Sequence, residues 1–278
     1  MNTGEEPGKQ NVQRMKVLVT GAYGLIGNLV AGSLLRQAET YDVYGLDLHA
    51  QPSPRIRAED VTPIPPGRFF QADLADLPAM TQAVQGMDAV VHMAADAGSG
   101  PWESLLKNNL VGAYHLFEAC HRAGARRVVF ASTVMVNAGT YRQEPYRAIL
   151  EGRFDDLPDP LPRISHETPP SPTSLYAASK LWGETLAYQY AFVHEMSCLC
   201  LRIGWVVAEN RPRPNYGRSV WCSHRDICQL VQKCLEAPLS LRFDIFYGFS
   251  RNRYQIANLE HACQVLGYNP QDSADDYP

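Results

Sequence analysis

The sequence predicts an α/β fold, a doubly wound and mostly parallel sheet with helices on both faces and a small C-terminal lobe. Three observations carry that expectation. Short apolar runs alternate along the chain with longer segments of helical character. Those runs are apolar at consecutive positions, as strands covered on both faces are. The first run also ends in a glycine-rich turn that opens a helix.

Met15–Thr20 (MKVLVT) reads as the first strand, and Leu25 to about Ala38 as the first helix. Tyr41–Asp47 is the second strand, followed by the proline-rich loop 51–66. Arg68–Ala72 is a short third strand, with a helix over Pro78–Gln85. Asp88–Met93 is the fourth strand, and one long helix is expected from about Trp102 to Ala123. Arg126–Ser132 makes a fifth strand, Ser174–His194 another long helix, and Ser197–Gly204 a sixth strand. Between them, 141–173 is rich in proline and acidic residues and long for a structureless connection. It predicts a short helix near Tyr146–Glu151 or a functional loop that reshapes the pocket beside it. The division is a leader over 1–14, a core over 15–204 with 141–173 inserted, and a small substrate-binding lobe over 205–278 partly interleaved with the core.

The 278 residues are 45% hydrophobic, enough to bury a sizeable core. With 25 Lys+Arg against 29 Asp+Glu, a generally basic nucleic-acid surface is excluded. The arginines between 202 and 218 lack the interleaved aromatics of a base-stacking platform, so no nucleic-acid partner is expected. The leader has no apolar stretch of the signal-peptide kind, and no apolar run reaches about 18 residues, so no membrane association is expected. The seven cysteines follow no disulfide-module spacing. Cys198 and Cys200 share one face of a strand, a pattern open to metal or redox chemistry but accounted for by a buried core strand. Reduced thiols point to a cytoplasmic protein. His92 has no Cys/His partner at ligand spacing and reads as structural, and no metal site is expected.

Gly21-Ala-Tyr-Gly24-Leu-Ile-Gly27 follows the first strand and opens the first helix. Glycines there let the backbone approach a pyrophosphate, and the helix start presents free N–H groups to it. Asp47 ends the second strand, where an acid accepts hydrogen bonds from a ribose and repels a 2′-phosphate. NAD is therefore favoured over NADP, against the plainer reading of a solvated strand-end charge. Asp73 is either an acceptor for the adenine amino group or a helix cap. The small residues of Met93-Ala94-Ala95 suit a backbone lying against the cofactor.

Tyr176 and Lys180 are spaced i, i+4 at a helix start, so the ammonium lies near the phenol and is expected to lower its pKa. A phenolate so placed takes a proton from an alcohol while hydride leaves the same carbon. Ser132 and Thr133 end the fifth strand, at the sheet edge where ligands bind, and one of the two hydroxyls is expected on the substrate oxygen.

These residues, with Asp73-Leu74, His92 to Ala95 and Asn109-Leu-Val-Gly112, together resemble the extended short-chain dehydrogenases/reductases of the NAD-dependent sugar epimerase/dehydratase family over about 15–204. The resemblance implies a Rossmann-type fold and an NAD cofactor. It implies Tyr176 as general acid or base, Lys180 on the nicotinamide ribose, Thr133 on the reacting oxygen and Asn109 as support for the site. Leu25, Ile26, Leu74, Asn109, Ser132 and Ile203 are implied cofactor neighbours. Dehydratases of the family carry Asp-Glu after that Thr, where this chain has Val134 and Met135. The second half is more similar to the uronate dehydrogenase-like branch, in Ser174 to Glu184, Trp221 to Asp226, Leu235 to Pro238, Tyr247 to Ser250 and Leu266 to Asp272. That branch implies oxidation of a small free sugar or sugar acid. Ser99 and Arg218 are the candidate substrate contacts. Tyr216 stands where the branch has a carboxylate-binding Arg, with Arg211 and Arg213 upstream. The alternatives are an NAD-dependent sugar or nucleotide-sugar epimerase and a non-catalytic NAD-binding regulator. Two long helices near 105–122 and 174–194 suit a homodimer or higher homo-oligomer, as in similar enzymes.

Overall fold

A computed structural model describes residues 13–98 and 100–278, and the expected leader falls almost wholly outside them. Seven parallel strands form one sheet in the order β3-β2-β1-β4-β5-β6-β7. They are β1 (Met15–Thr20), β2 (Tyr41–Asp47), β3 (Phe69–Gln71), β4 (Ala89–His92), β5 (Arg127–Thr133), β6 (Ser197–Ile203) and β7 (Phe243–Gly248). The helices are α1 (Leu25–Leu35), α2 (Leu77–Val84), α3 (Trp102–Leu105), α4 (Gly112–Ala123), α5 (Tyr146–Leu150), α6 (Leu175–Val193), α7 (Tyr216–Val220), α8 (His224–Glu236) and α9 (Glu260–Leu266).

The pleat sends neighbours in β1 to opposite faces. Val17 and Val19 pack with Val30 and Leu34 of α1 and Ile227 and Leu230 of α8. Leu18 packs with Met80 of α2, Phe117 of α4 and Tyr190 of α6. All of these apolar side chains are buried. The doubly wound Rossmann fold expected from the alternation is what the chain forms. The strand order reverses between β1 and β4, which leaves a crevice at their carboxyl ends.

The structure departs from the sequence reading at one helix and adds detail in two other places. The helix expected from Trp102 to Ala123 is interrupted by a π-helical turn over Leu106–Val111. That wider turn holds Asn109, whose amide accepts from Asp96 N–H at 2.8 Å and donates to the Asp96 carbonyl and to Ser179 Oγ, both at 2.9 Å. After residue 204, β7 pairs with β6 and α8 packs on α1, so these parts of the expected lobe lie within the core layers. The 141–173 segment does carry the short helix α5, tied by the Tyr141 phenol donating to the Val134 carbonyl at 2.7 Å.

A buried ion pair joins α6 to the sheet. Glu184 of α6 and Arg202 of β6 are both nearly fully buried and bond bidentately, at 3.0 and 2.9 Å. Ser132 of β5 donates to the same carboxylate at 2.6 Å. Arg202 also donates to Asn137 Oδ1 and to the Tyr247 hydroxyl of β7, each at 3.1 Å. Glu184→Leu leaves the guanidinium buried without its partner and is expected to cost about 3–5 kcal/mol in chemical denaturation. Adding Arg202→Met should recover most of that loss. A single-variant cost under about 1 kcal/mol, the size of an exposed pair, would remove this pair from its role as the tie.

Candidate active site

The crevice is a cleft of about 1390 Å³, above the range of roughly 300–1,000 Å³ usual for small-ligand pockets and roomy enough for a dinucleotide together with a second molecule. The turn after β1 forms its floor. Gly21 adopts φ +67°, and a Cβ there would lie 2.8 Å from Ala94 N. A Cβ on Gly27 would lie 2.0 Å from the Gly21 carbonyl oxygen. Both glycines are thus required for β1, α1 and the end of β4 to approach one another. The first turn of α1 carries no acidic residue, so an anion at its free N–H groups meets no like charge there.

Asp47 ends β2 and accepts from Tyr23 N–H at 2.9 Å, which fixes the turn to the carboxylate at the cleft wall. Asp73 accepts from Ala75 N–H at 2.9 Å and pairs with Lys107 at 2.6 Å. It does not cap α2: Asp76 does, accepting from Ala79 N–H at 3.0 Å. His92 is buried and structural, its Nδ1 2.7 Å from Thr20 Oγ1, and burial followed by the Lys180 charge lowers its pKa to about 3.

Thr133 and Tyr176 meet at the cleft. Both side chains line it, and the Thr133 hydroxyl is near enough to the Tyr176 phenol to favour its ionised form. Lys180 lies behind them, its Nζ 5.2 Å from the Phe130 ring centre and 5.9 Å from that of Tyr176. The expected lowering of the Tyr176 pKa is not what this arrangement gives. Burial raises it, and the neighbouring Thr133 hydroxyl and the Arg55 charge offset only part of that rise. The ammonium sits over ring faces and is itself desolvated, with a pKa lowered to about 8.

Gly21, Gly24, Leu25, Ile26, Gly27, Asp47, Asp73, Leu74, Met93, Ala94, Ala95, Ser132, Thr133, Tyr176, Lys180 and Ile203 all line the cleft. Ser132 spends its hydroxyl on Glu184, so of the two strand-end hydroxyls Thr133 faces the chemistry. Asn109 is a correction: it is buried behind the cleft and does not line it, because its amide is committed to Asp96 and Ser179. Arg218 is a second correction. It donates to the carbonyls of Ala274, Tyr277 and Pro278 at 2.6, 2.8 and 3.1 Å, and it does not reach the cleft. Ser99 lies outside the described residues. No residue of 141–173 lines the cleft.

Sequence reasoning missed Asp96 and Arg55 in the cleft wall, where Arg213, noted from the sequence only as lying upstream of Tyr216, also stands. Asp96 follows β4 and acts electrostatically on Tyr176, and its position just past a strand's carboxyl end was a usable signal. Arg55 sits in the 51–66 loop, which is held over the cleft by Ser53 N–H donating to the Tyr23 carbonyl at 2.8 Å. Neither Arg55 nor Arg213 has an ion-pair partner among the described residues.

Comparison with known proteins agrees with this geometry. Residues 17–232 match the model of the NAD dependent epimerase/dehydratase family. An NAD-dependent glucose-6-phosphate dehydrogenase of Haloferax volcanii is 32% identical, covering 94% of this chain and 95% of that protein. A uronate dehydrogenase of Pseudomonas putida is 29% identical, covering 94% of this chain and 86% of that protein. A mutant uronate dehydrogenase from Agrobacterium tumefaciens, solved complexed with NAD, superposes with a TM-score of 0.74 at 29% identity, over 95% of this chain and 87% of that one. The chain belongs to the NAD dependent epimerase/dehydratase family, and the resemblance drawn from its motifs is confirmed.

The buried Lys180 makes stability depend on pH. Its folded pKa is about 8 against an ordinary 10.5, so between those values the unfolded chain binds more protons. Stability without cofactor should therefore rise as pH increases from about 8 to 10.5. Lys180→Met should be more stable than the parent at pH 7, by roughly 1–3 kcal/mol, and should lose that rise. Urea titrations of both proteins across this range check it; parallel curves would show that Lys180 is not desolvated.

Proposed function

We propose that this family member is an NAD-dependent dehydrogenase that oxidises a hydroxyl of a small free sugar or sugar acid. The observation that carries the reading is the placement of Thr133 and Tyr176 together in the cleft, at the carboxyl ends of the strands beside the glycine turn. NAD+, when bound, supplies the hydride acceptor. The glycine turn and the start of α1 would hold its pyrophosphate, and Asp47 its adenosine ribose.

Thr133 orients the substrate hydroxyl, and Tyr176 exchanges the proton with that oxygen. The Arg55 charge favours the phenolate that oxidation needs, against the burial that opposes it. Lys180, buried behind the phenol, keeps a positive charge on that side of the cleft. Arg55 and Arg213 give the cleft two cations without ion-pair partners among the described residues, which suits a carboxylate or phosphate substituent on the sugar. Relatives named for uronate and for glucose 6-phosphate support an anionic sugar.

A homodimer is supported by exposed apolar side chains along α6, where Tyr188 and Phe192 are each 55% exposed and Trp182 is 42% exposed, and by Tyr114 of α4. A cytoplasmic location is supported by seven cysteines that are all free thiols. No helix among the described residues is long and apolar enough to cross a membrane.

Tyr176→Phe should bind NAD as the parent does and lose roughly 10²–10⁴-fold in kcat with a uronic acid or sugar phosphate. The double variant Arg55→Ala/Arg213→Ala should instead raise KM for those anionic sugars by at least about tenfold, with a smaller effect on a neutral sugar. Undiminished turnover in the Phe variant would sink the assignment of Tyr176.

A further inference from the structure

Away from the cleft, three side chains of metal-binding type converge from parts of the chain that are distant in sequence. His166 comes from the 141–173 segment, Asp244 from β7 and His261 from α9. Each offers one ligand atom, and the three atoms lie within 4.8 Å of one another. The backbone sets this up. Ile164 bridges Ala257 in parallel, its N–H donating to the Ile256 carbonyl at 3.0 Å and its carbonyl accepting from Asn258 N–H at 2.8 Å. That pairing delivers His166 to the start of α9. His261 Nε2 then lies 2.8 Å from Asp244 Oδ1, and the two imidazoles stack with centres 3.7 Å apart and planes 13° apart.

One atom in the cluster is left over. His166 Nδ1 is buried and has no hydrogen-bond partner. A buried polar atom without a partner is costly, and an unplaced ion is one of its ordinary explanations. We propose that His166, Asp244 and His261 form a binding site for a divalent transition-metal ion of the zinc or cobalt kind, which ties the 141–173 segment to β7 and α9. Two imidazoles and one carboxylate are the donors such ions take, with water completing a tetrahedron. Calcium and magnesium call for more oxygen ligands than the cluster offers.

A metal lies in the plane of each imidazole that binds it. The nearly parallel rings must therefore unstack for both to bind one ion, each nitrogen coming to about 2.0–2.1 Å from it. His166 has room to do so, being only half-buried and in a loop. None of the three residues lines the cleft, so the site is separate from the dehydrogenase chemistry. The spacing 166, 244, 261 carries no local motif, so these three residues were not legible as a set from their order in the chain.

The test is calorimetric titration of the full chain with ZnCl₂, together with the visible absorption of its cobalt form. One ion per chain is expected, with a higher Tm in zinc and greater resistance of 141–173 to proteolysis. The cobalt spectrum should show nitrogen and oxygen ligation, with no thiolate charge-transfer band. His166→Ala, a change in a half-buried loop residue, should weaken binding by roughly 100-fold or more while the protein still binds NAD. Asp244→Asn should weaken binding too. Absence of zinc uptake by the parent would overturn the proposal, as would a thiolate band or uptake that survives intact in His166→Ala/His261→Ala.

Discussion

A bidentate ion pair sealed in the core, Glu184 to Arg202, is the contact on which the site's geometry depends. The helix that carries Tyr176 and Lys180 could slide along an apolar sheet face at little cost, because dispersion and hydrophobic contacts have no direction. A carboxylate bonded to both β5 and β6 does have direction. Ser132 bonds Glu184, and its neighbour Thr133 faces Tyr176, so consecutive residues of one strand meet the helix at its middle and near its start. Around this tie, Gly183 leaves room for Phe130, where an added Cβ would come within 2.0 Å of the ring. Small residue and charged pair together let α6 approach the sheet closely and in one register.

On the other side of the cleft, the constraint is steric. β1 and β4 are neighbours in the sheet although β2, β3 and their connections intervene in sequence. Their carboxyl ends therefore open onto a crevice rather than a crossover helix. Gly21 and Gly27 bring backbone against backbone there, and the start of α1 faces the space so formed. Thr133 and Tyr176 stand at the far wall of the same space. A ligand anchored at the turn is thereby directed across the sheet edge toward the phenol.

Much of this was legible in the sequence because the deciding signals were local. A consecutive apolar run ending in glycines specifies a buried strand and its turn, and the i, i+4 pair of Tyr176 and Lys180 specifies a helix face. What was not legible depended on residues far apart. The seventh strand, Phe243–Gly248, is an edge strand with its first half only partly buried, so its pattern is weak on its own. Arg218 looked like a substrate contact by position, yet it clamps carbonyls of 274–278 that no local pattern links to it. Arg55 lay in a loop whose only structural signal was proline, and a tertiary bond from Ser53 to Tyr23 brings it to the cleft. The direction of the Tyr176 pKa failed for a different reason. Spacing showed the neighbouring cation but not the burial, and burial outweighs the charges around the phenol.

The central claim is net oxidation of a small sugar, and the most direct measurement is NADH formed per mole of substrate consumed. It would be followed by absorbance with the purified protein, excess NAD+ and, separately, uronic acids, sugar phosphates and nucleotide sugars. Stoichiometric accumulation of NADH is expected with a free anionic sugar, and little with nucleotide sugars. Conversion of a nucleotide sugar to its epimer with no steady-state NADH, alongside inert free sugars, would contradict it.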